Sequence, residues 1–269
     1  MDPSSDFRAT ILDAKQFAAY PHLDSLMSMI NEAYTIRHRE AFATDKGSRF
    51  NTLKELIDAL EDGGRCCIVT QEQQKNPAPT IVACAMLNVF HEGDPVSIQP
   101  TLSTEDGDGT GRSSTSNGAN GTSSEPSGSL GTTESGLTPA APLAGVKDGH
   151  VDITSVFDWE LGVVAVRHDP RFAKLGLATR CASLLEQDLL DRLDMAEKGK
   201  AVVEGTAGKQ PLTCWVKTTG IANRQYWKRR GFNDVRLKKF PPGFWGAFEE
   251  FELVWMKRDI PRRKISGCS

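Results

Sequence analysis

Long apolar runs are missing from this chain of 269 residues: no stretch approaches the ~18 consecutive apolar residues that a membrane span needs. The opening MDPSSDFRAT also lacks the basic-then-apolar pattern of a secretory signal, so a cytoplasmic address is expected, with nuclear entry left open. Six cysteines occur without a C-x-x-C pair, and the five histidines never fall at i, i+4 or beside a cysteine pair. Reduced, buried thiols and no metal site follow as expectations. Cys268 is next to last in the tail SGCS, which excludes a prenylation box, and the Asn120-Gly121-Thr122 sequon has no glycosylation machinery to meet in that compartment. A net charge of -3 excludes recognition of nucleic acid through a global positive field, although a small anion needs only a local basic groove. Neither a nucleic acid nor a membrane is expected as partner, and the chain is expected to be a monomer or a homodimer.

Aromatic residues are absent between Phe90 and Phe157, and Gly, Ser and Thr dominate from Pro100 to Pro142. Such a segment cannot bury enough apolar surface to offset its chain entropy. Residues 98–150 are therefore expected to be a disordered insertion within one domain spanning 6–260, followed by a flexible basic tail at 261–269. A linker between two domains is the alternative, and it fits less well because each half alone has too few strands to close a sheet.

What is present reads as helices and strands in a definite order. Leu23, Leu26, Met27, Ile30 and Tyr34 recur at helical spacing, as do Leu53, Leu56, Ile57 and Leu60 behind a Thr52-to-Glu55 capping-box pattern. These two helices precede strands at Cys66–Thr70 and Thr80–Phe90, joined by a polar turn that suits an antiparallel hairpin. Beyond the insertion come a strand from Phe157 to Val166 and a helix with the stripe Leu177, Cys181, Leu184, Leu185, Leu189 and Leu193. A polar loop from Glu197 to Pro211, a strand at Leu212–Val216, a short helix near Ala222–Arg230 stopped by Gly231, and strands around Asp234–Lys239 and Phe251–Met256 complete the order.

The junction between the strand ending at Val166 and the following helix carries the chemistry. Its turn reads Asp169-Pro170-Arg171-Phe172-Ala173-Lys174-Leu175-Gly176-Leu177-Ala178. Unpartnered N–H groups at the helix start suit an anion such as a pyrophosphate, small residues at Gly176 and Ala178 permit close approach, and Arg171 and Lys174 add charge. The dinucleotide pattern G-x-G-x-x-G is absent, and Gly208-Lys209 lacks the rest of a P-loop.

This turn resembles the phosphate loop of the GNAT superfamily of acetyl-CoA-dependent N-acetyltransferases, Gln/Arg-x-x-Gly-x-Gly/Ala, with Ala173 departing where the family has Gln or Arg. A second segment, Asn223-Arg224-Gln225-Tyr226-Trp227-Lys228-Arg229-Arg230-Gly231-Phe232, is similar to the later motif that packs near the cofactor's thiol end. The ending PPGFWGAFEEFELVWMKRDI resembles fungal members that carry low-complexity insertions. The resemblance implies an α/β (α+β) fold: a mixed, mostly antiparallel central sheet flanked by helices, with two central strands splayed apart.

The resemblance further implies acetyl-CoA as co-substrate, an acetyl group passed to a primary amine by direct attack in a ternary complex, and a small-molecule amine rather than a protein lysine as acceptor. Implied cofactor contacts are Val164, Ala165 and Val166 on the strand, and Arg171, Phe172, Ala173, Lys174, Leu175, Gly176, Leu177, Ala178 and Thr179 through the turn. Asn223, Tyr226 and Trp227 are the contacts implied on the later helix. Glu160 stands where several family members keep a general base, and two-residue periodicity places it on one face with Gly162, Val164 and Val166. Its other role would be a sheet carboxylate paired with a Lys or Arg. The family's helix Tyr falls on Trp227, whose indole is no proton donor of use, so the adjacent Tyr226 is the candidate acid. A non-catalytic acyl-CoA-binding protein of the same fold is the alternative.

Overall fold

The computed structural model describes residues 7–38, 48–73, 76–92, 146–147, 150–200, 211–220, 223–244 and 247–262. Nearly all of the 98–150 segment, the Asn120 sequon, Ala222, Trp245, Cys268 and the tail beyond 262 lie outside the described residues. In chain order the elements are β1 (Phe7–Leu12), α1 (Ala14–Ala18), α2 (Leu23–His38), α3 (Leu53–Asp58), β2 (Arg65–Gln73) and β3 (Asn76–Val89). The short pair β4 (Val146–Lys147) and β5 (His150–Val151) follows, then β6 (Asp158–Val166), α4 (Leu177–Lys200), β7 (Leu212–Thr219), α5 (Arg224–Lys228), β8 (Asn233–Phe240) and β9 (Phe251–Ile260).

Seven strands form one sheet in the order β1-β2-β3-β6-β7-β9-β8. Every neighbouring pair is antiparallel except β6 and β7, whose parallel pairing needs a long crossover that α4 supplies. The mixed, mostly antiparallel sheet expected from the sequence is therefore present. Two short elements at the start escape the pattern: β1, an edge strand on β2, and α1, whose five residues are held by Asp13. Asp13 Oδ1 accepts from Gln16 N at 2.8 Å and Asp13 N donates to Gln16 Oε1 at 3.0 Å, a reciprocal cap that a helix too short to show periodicity still allows. At α3 the Thr52 hydroxyl accepts from Glu55 N at 3.1 Å, but the Glu55 carboxylate reaches back to Asn51 N at 2.7 Å instead of Thr52.

Two cores sandwich the sheet. On one face the α4 stripe of Leu177, Cys181, Leu185, Leu189 and Leu193 packs on Trp159, Leu161, Cys214 and Val216. On the other, Phe17, Leu26, Met29, Ile30 and Leu56 from α1–α3 pack on Cys84, Met86, Val163 and Ala165. The five described cysteines are free and buried, and burial first of all pushes the Cys84 thiol up to about 12, which keeps that thiol protonated near neutral pH. No helix among the described residues is long and apolar enough to cross a membrane.

The two cores meet at an irregularity in β6. Val163 pairs with Met86, but Leu161 pairs with Leu87, so Gly162 is an extra residue, a β-bulge. The bulge reverses which face each later side chain takes. Trp159 and Leu161 lie in the α4-side core, Val163 and Ala165 in the opposite one, and Val164 and Val166 pack toward α4. The expectation that Glu160 shares a face with Val164 and Val166 is thereby corrected: simple alternation holds only up to the bulge.

Leu185 is fully buried at the centre of the α4 stripe. Leu185→Ala is expected to lower the unfolding free energy by about 2–5 kcal/mol, as transfer and cavity terms add, and urea titration followed by circular dichroism checks it.

Candidate active site

Parallel pairing between β6 and β7 covers only Asp158–Thr213, Trp159–Cys214 and Glu160–Trp215. Beyond those rungs β6 runs on to Val166 and β7 to Thr219 without pairing with each other, so the central strands splay. Antiparallel bonding to β3 continues along β6 through Val166, which leaves the β7-facing backbone edge of Val164–Val166 open.

The chain leaves this gap through a tightly held turn. Arg167 N donates to Val82 O and its Nε to Ile81 O, both at 2.8 Å. Asp169 caps the 3-10 turn Pro170–Phe172, accepting from Arg171 N at 2.9 Å. The same carboxylate grips the Arg171 guanidinium, with Nη2 at 2.6 Å, and these bonds hold the Asp169 carboxyl down at about 2. Arg171, expected to meet a phosphate, is thus already balanced by a neighbouring carboxylate. The side chain of Phe172 is buried in the α4-side core, edge-on to Phe7 at 6.3 Å, and anchors the turn. The side chains of Ala165, Leu177 and Trp227 are likewise buried.

Lys174 at φ 61° and Gly176 at φ 73° then bring the backbone into α4. A Cβ built on Gly176 meets nothing within 4 Å, so the backbone conformation and not crowding calls for glycine, and open space lies before the helix. The first helical bond, Arg180 N to Gly176 O at 2.9 Å, leaves the N–H groups of Leu177, Ala178 and Thr179 without intrahelical acceptors. Ala173, Leu175 and Ala178 contribute small or exposed groups around this opening, and no acidic residue stands in the first turn of α4.

Helix α5 faces that turn. Trp227 packs edge-on against Tyr226 and Phe232, and Gly231 at φ 81° ends the helix with Phe232 N bonded to Trp227 O at 3.2 Å. Asn223 occupies the N-cap without a capping bond from its side chain. Tyr226 Oη lies 3.5 Å from Thr179 Oγ1, and the Arg230 guanidinium lies 3.4 Å from the centre of the Tyr226 ring. Thr179, Ala182, Trp227 and Arg230 line part of a cavity of about 180 Å³ between α4 and α5.

Glu160 occupies the last parallel rung, on the face away from α4, and its carboxylate accepts from Lys217 Nζ at 2.9 Å. Lys217 also donates to His91 O at 3.3 Å. The pairing of Glu160 with a lysine is therefore real, and it straps the two strands together where their backbones part. Asp158 is occupied by Trp215 Nε1 at 2.7 Å. Tyr226 packs against the α4-side core, so the two candidate catalytic residues sit on opposite faces of the sheet. Among the described residues, no group of three or more His, Cys, Asp or Glu could hold a metal ion.

The sequence did not single out Lys217. The alternation of buried Leu212, Cys214, Val216 and Thr218 with half-buried Thr213, Trp215, Lys217 and Thr219 put it on the face with Glu160, but only the parallel register brings the two together. The basic residues from Lys228 to Arg230 divide between two sides. Lys228 joins Arg224 on Asp234, at 2.8 and 2.6 Å, while Arg230 turns toward α4. The aromatic segment between β8 and β9 closes partly on itself, with Phe244 stacked on Phe240 at 4.3 Å, and Glu250 is paired with Lys239 at 2.9 Å.

The mixed sheet, the splay at its one parallel pair and the strand–turn–helix at that splay define an open α+β fold of the kind the sequence motifs implied. Among solved structures, the chain is similar to the ribosomal-protein-S18-alanine N-acetyltransferase from Escherichia coli, at 11% identity over 97% of each chain with a TM-score of 0.44. It is similar to yncA from Salmonella typhimurium, solved with its cofactor acetyl-CoA, at 10% identity over 98% of this chain and 100% of that one, TM-score 0.45. The ribosomal-protein-alanine N-acetyltransferase from Brucella melitensis gives 12% identity over 94% and 99%, TM-score 0.46. No protein-family model and no curated protein matches the chain. These likenesses are distant, and the fold rests on the strand order and register above.

Hydrogen bonds from Arg224, and next from Lys228, hold the Asp234 carboxyl down at about 2, against an ordinary 3.8. A depressed carboxyl contributes stability above its unfolded value and loses it as pH falls through its folded one. Asp234→Asn is therefore expected to flatten the part of the acid stability loss that falls between about pH 4 and pH 2, as read by urea unfolding across that range.

Proposed function

We propose that this chain is a GNAT-type acetyltransferase that binds acetyl-CoA across the β6–β7 splay and passes its acetyl group to a primary amine. The observation that carries the proposal is one of geometry. The strand with an open backbone edge runs directly into the turn whose unpaired N–H groups and open Gly176 face a common space. Leu177, Ala178 and Thr179 N–H would hold the pyrophosphate, and the edge of Val164–Val166 the amide-rich pantetheine arm. Acetyl-CoA supplies an activated thioester.

The chain's own residues then handle protons. Glu160, on the face away from α4, accepts a proton from the incoming amine as its nitrogen attacks the thioester carbonyl. Lys217 holds the carboxylate in place beside the gap. Tyr226 Oη lies beside Thr179, at the end of the site proposed for the pyrophosphate and a full pantetheine arm from the sulfur, so as the C–S bond breaks the sulfur departs as a thiolate and takes its proton from solvent, a modest demand because a thiol with a pKa of ~8.5 leaves readily. A small-molecule amine is the proposed acceptor. The tight Lys217–Glu160 pair favours a second function, that of a non-catalytic acyl-CoA-binding protein, because it leaves the carboxylate already engaged.

A panel of primary amines with acetyl-CoA and thiol detection separates the two: CoA release on at least one amine is expected, and binding without release on any supports the carrier. With a reactive amine, Glu160→Gln is expected to lower kcat roughly a hundredfold or more and to abolish the acidic limb of the pH profile while CoA affinity holds. An unchanged profile returns Glu160 to the ion pair alone.

A further inference from the structure

The cations near the proposed cofactor turn are not equally free. Arg171 is balanced by Asp169, Arg224 and Lys228 by Asp234, and Arg258, on the cavity wall, by Glu186. Arg230 differs. Its side chain is half-buried, and among the described residues its guanidinium meets no carboxylate, only Thr179 Oγ1 (from Nε at 3.0 Å and Nη2 at 2.7 Å), Tyr226 O (from Nη1 at 3.1 Å) and the Tyr226 ring.

Its position makes the imbalance larger. Thr179 is the third residue of α4, so the guanidinium sits beside the positive end of a 24-residue helix. That end carries roughly half a positive charge and normally attracts acidic side chains, yet none stands in its first turn. A half-buried cation without a counter-ion, placed where the helix field is also positive, raises the energy of the ligand-free protein. An anion in front of the turn relieves both terms at once. Three of the five guanidinium N–H groups are engaged by the bonds above, and the other two remain for the ligand.

We propose that Arg230 is the side-chain cation for the pyrophosphate, supplying from α5 what Ala173 cannot supply from the turn. This rests on the CoA-binding proposal above. It assigns Arg230 to the bridging phosphates and not to the ribose 3′-phosphate, because its anchor is Thr179 at the helix start. Tyr226, beneath the guanidinium, is then held in place by the same contact.

The test is calorimetry on the full chain with CoA, 3′-dephospho-CoA and pantetheine, in wild type, Arg230→Gln and Arg230→Lys. Arg230→Gln is expected to weaken CoA and 3′-dephospho-CoA equally, by roughly tenfold to a hundredfold, and to leave pantetheine unchanged, with Arg230→Lys intermediate. A loss confined to CoA moves the contact to the 3′-phosphate and overturns the assignment. So does a loss shared by pantetheine, or an unchanged affinity. A wild type that binds none of the three fails the CoA-binding proposal itself, whereas wild-type binding with an unaffected Arg230→Gln fails only the role of Arg230.

Discussion

Everything at the candidate site depends on how briefly β6 and β7 stay together. Parallel strands hold each other by evenly spaced bonds, and here that ladder stops after Glu160–Trp215. If it continued, the backbone edge of Val164–Val166 would be satisfied internally and no extended ligand could take it. The bulge at Gly162 falls just past the last rung, and a bulge bends its strand and increases the local twist. Satisfied on its β3 side and open on the other, β6 then delivers the chain into the turn that begins α4.

Side chains hold this arrangement open. The Lys217–Glu160 pair spans the strands at the point of parting, on the face away from α4. On the α4 face, Arg230 ties α5 to the first turn of α4 through Thr179. Such contacts fix the width of a gap whose backbone does not close it, and they set apart the two faces from which an acceptor and a cofactor would approach. Phe172 and Trp227 contribute differently, as buried anchors that keep turn and helix in register with the sheet.

Much of this was legible in the sequence. The α4 stripe, the strand before it, the glycine at 176 and the stop at Gly231 follow from periodicity and from the backbone freedom of glycine. The β2–β3 hairpin followed from its polar connection, and the antiparallel majority and the splay from resemblance to a known family. What escaped depends on partners far apart in the chain. The Gly162 bulge exists only as a register difference with β3, some 75 residues upstream, and it invalidated the simple alternation that grouped Glu160 with Val164 and Val166. The capture of Arg171 by Asp169 is local, yet composition cannot tell a cation reserved for a ligand from one already paired. Lys217 was hidden for the same reason: its importance lies in which carboxylate it meets after folding. The segments β1 and α1 were too short for periodicity to reveal.

The central claim is that the open edge of β6 and the first turn of α4 form one continuous binding surface for CoA. Backbone amide hydrogen exchange of the full chain, with and without saturating CoA, tests it most directly. Slowed exchange is expected together at Val164–Val166 and at Gly176–Thr179, with buried strands such as β2 unaffected. Exchange unchanged at both segments, or slowed at the helix start alone, would contradict the claim, the latter reducing the site to a simple anion-binding turn.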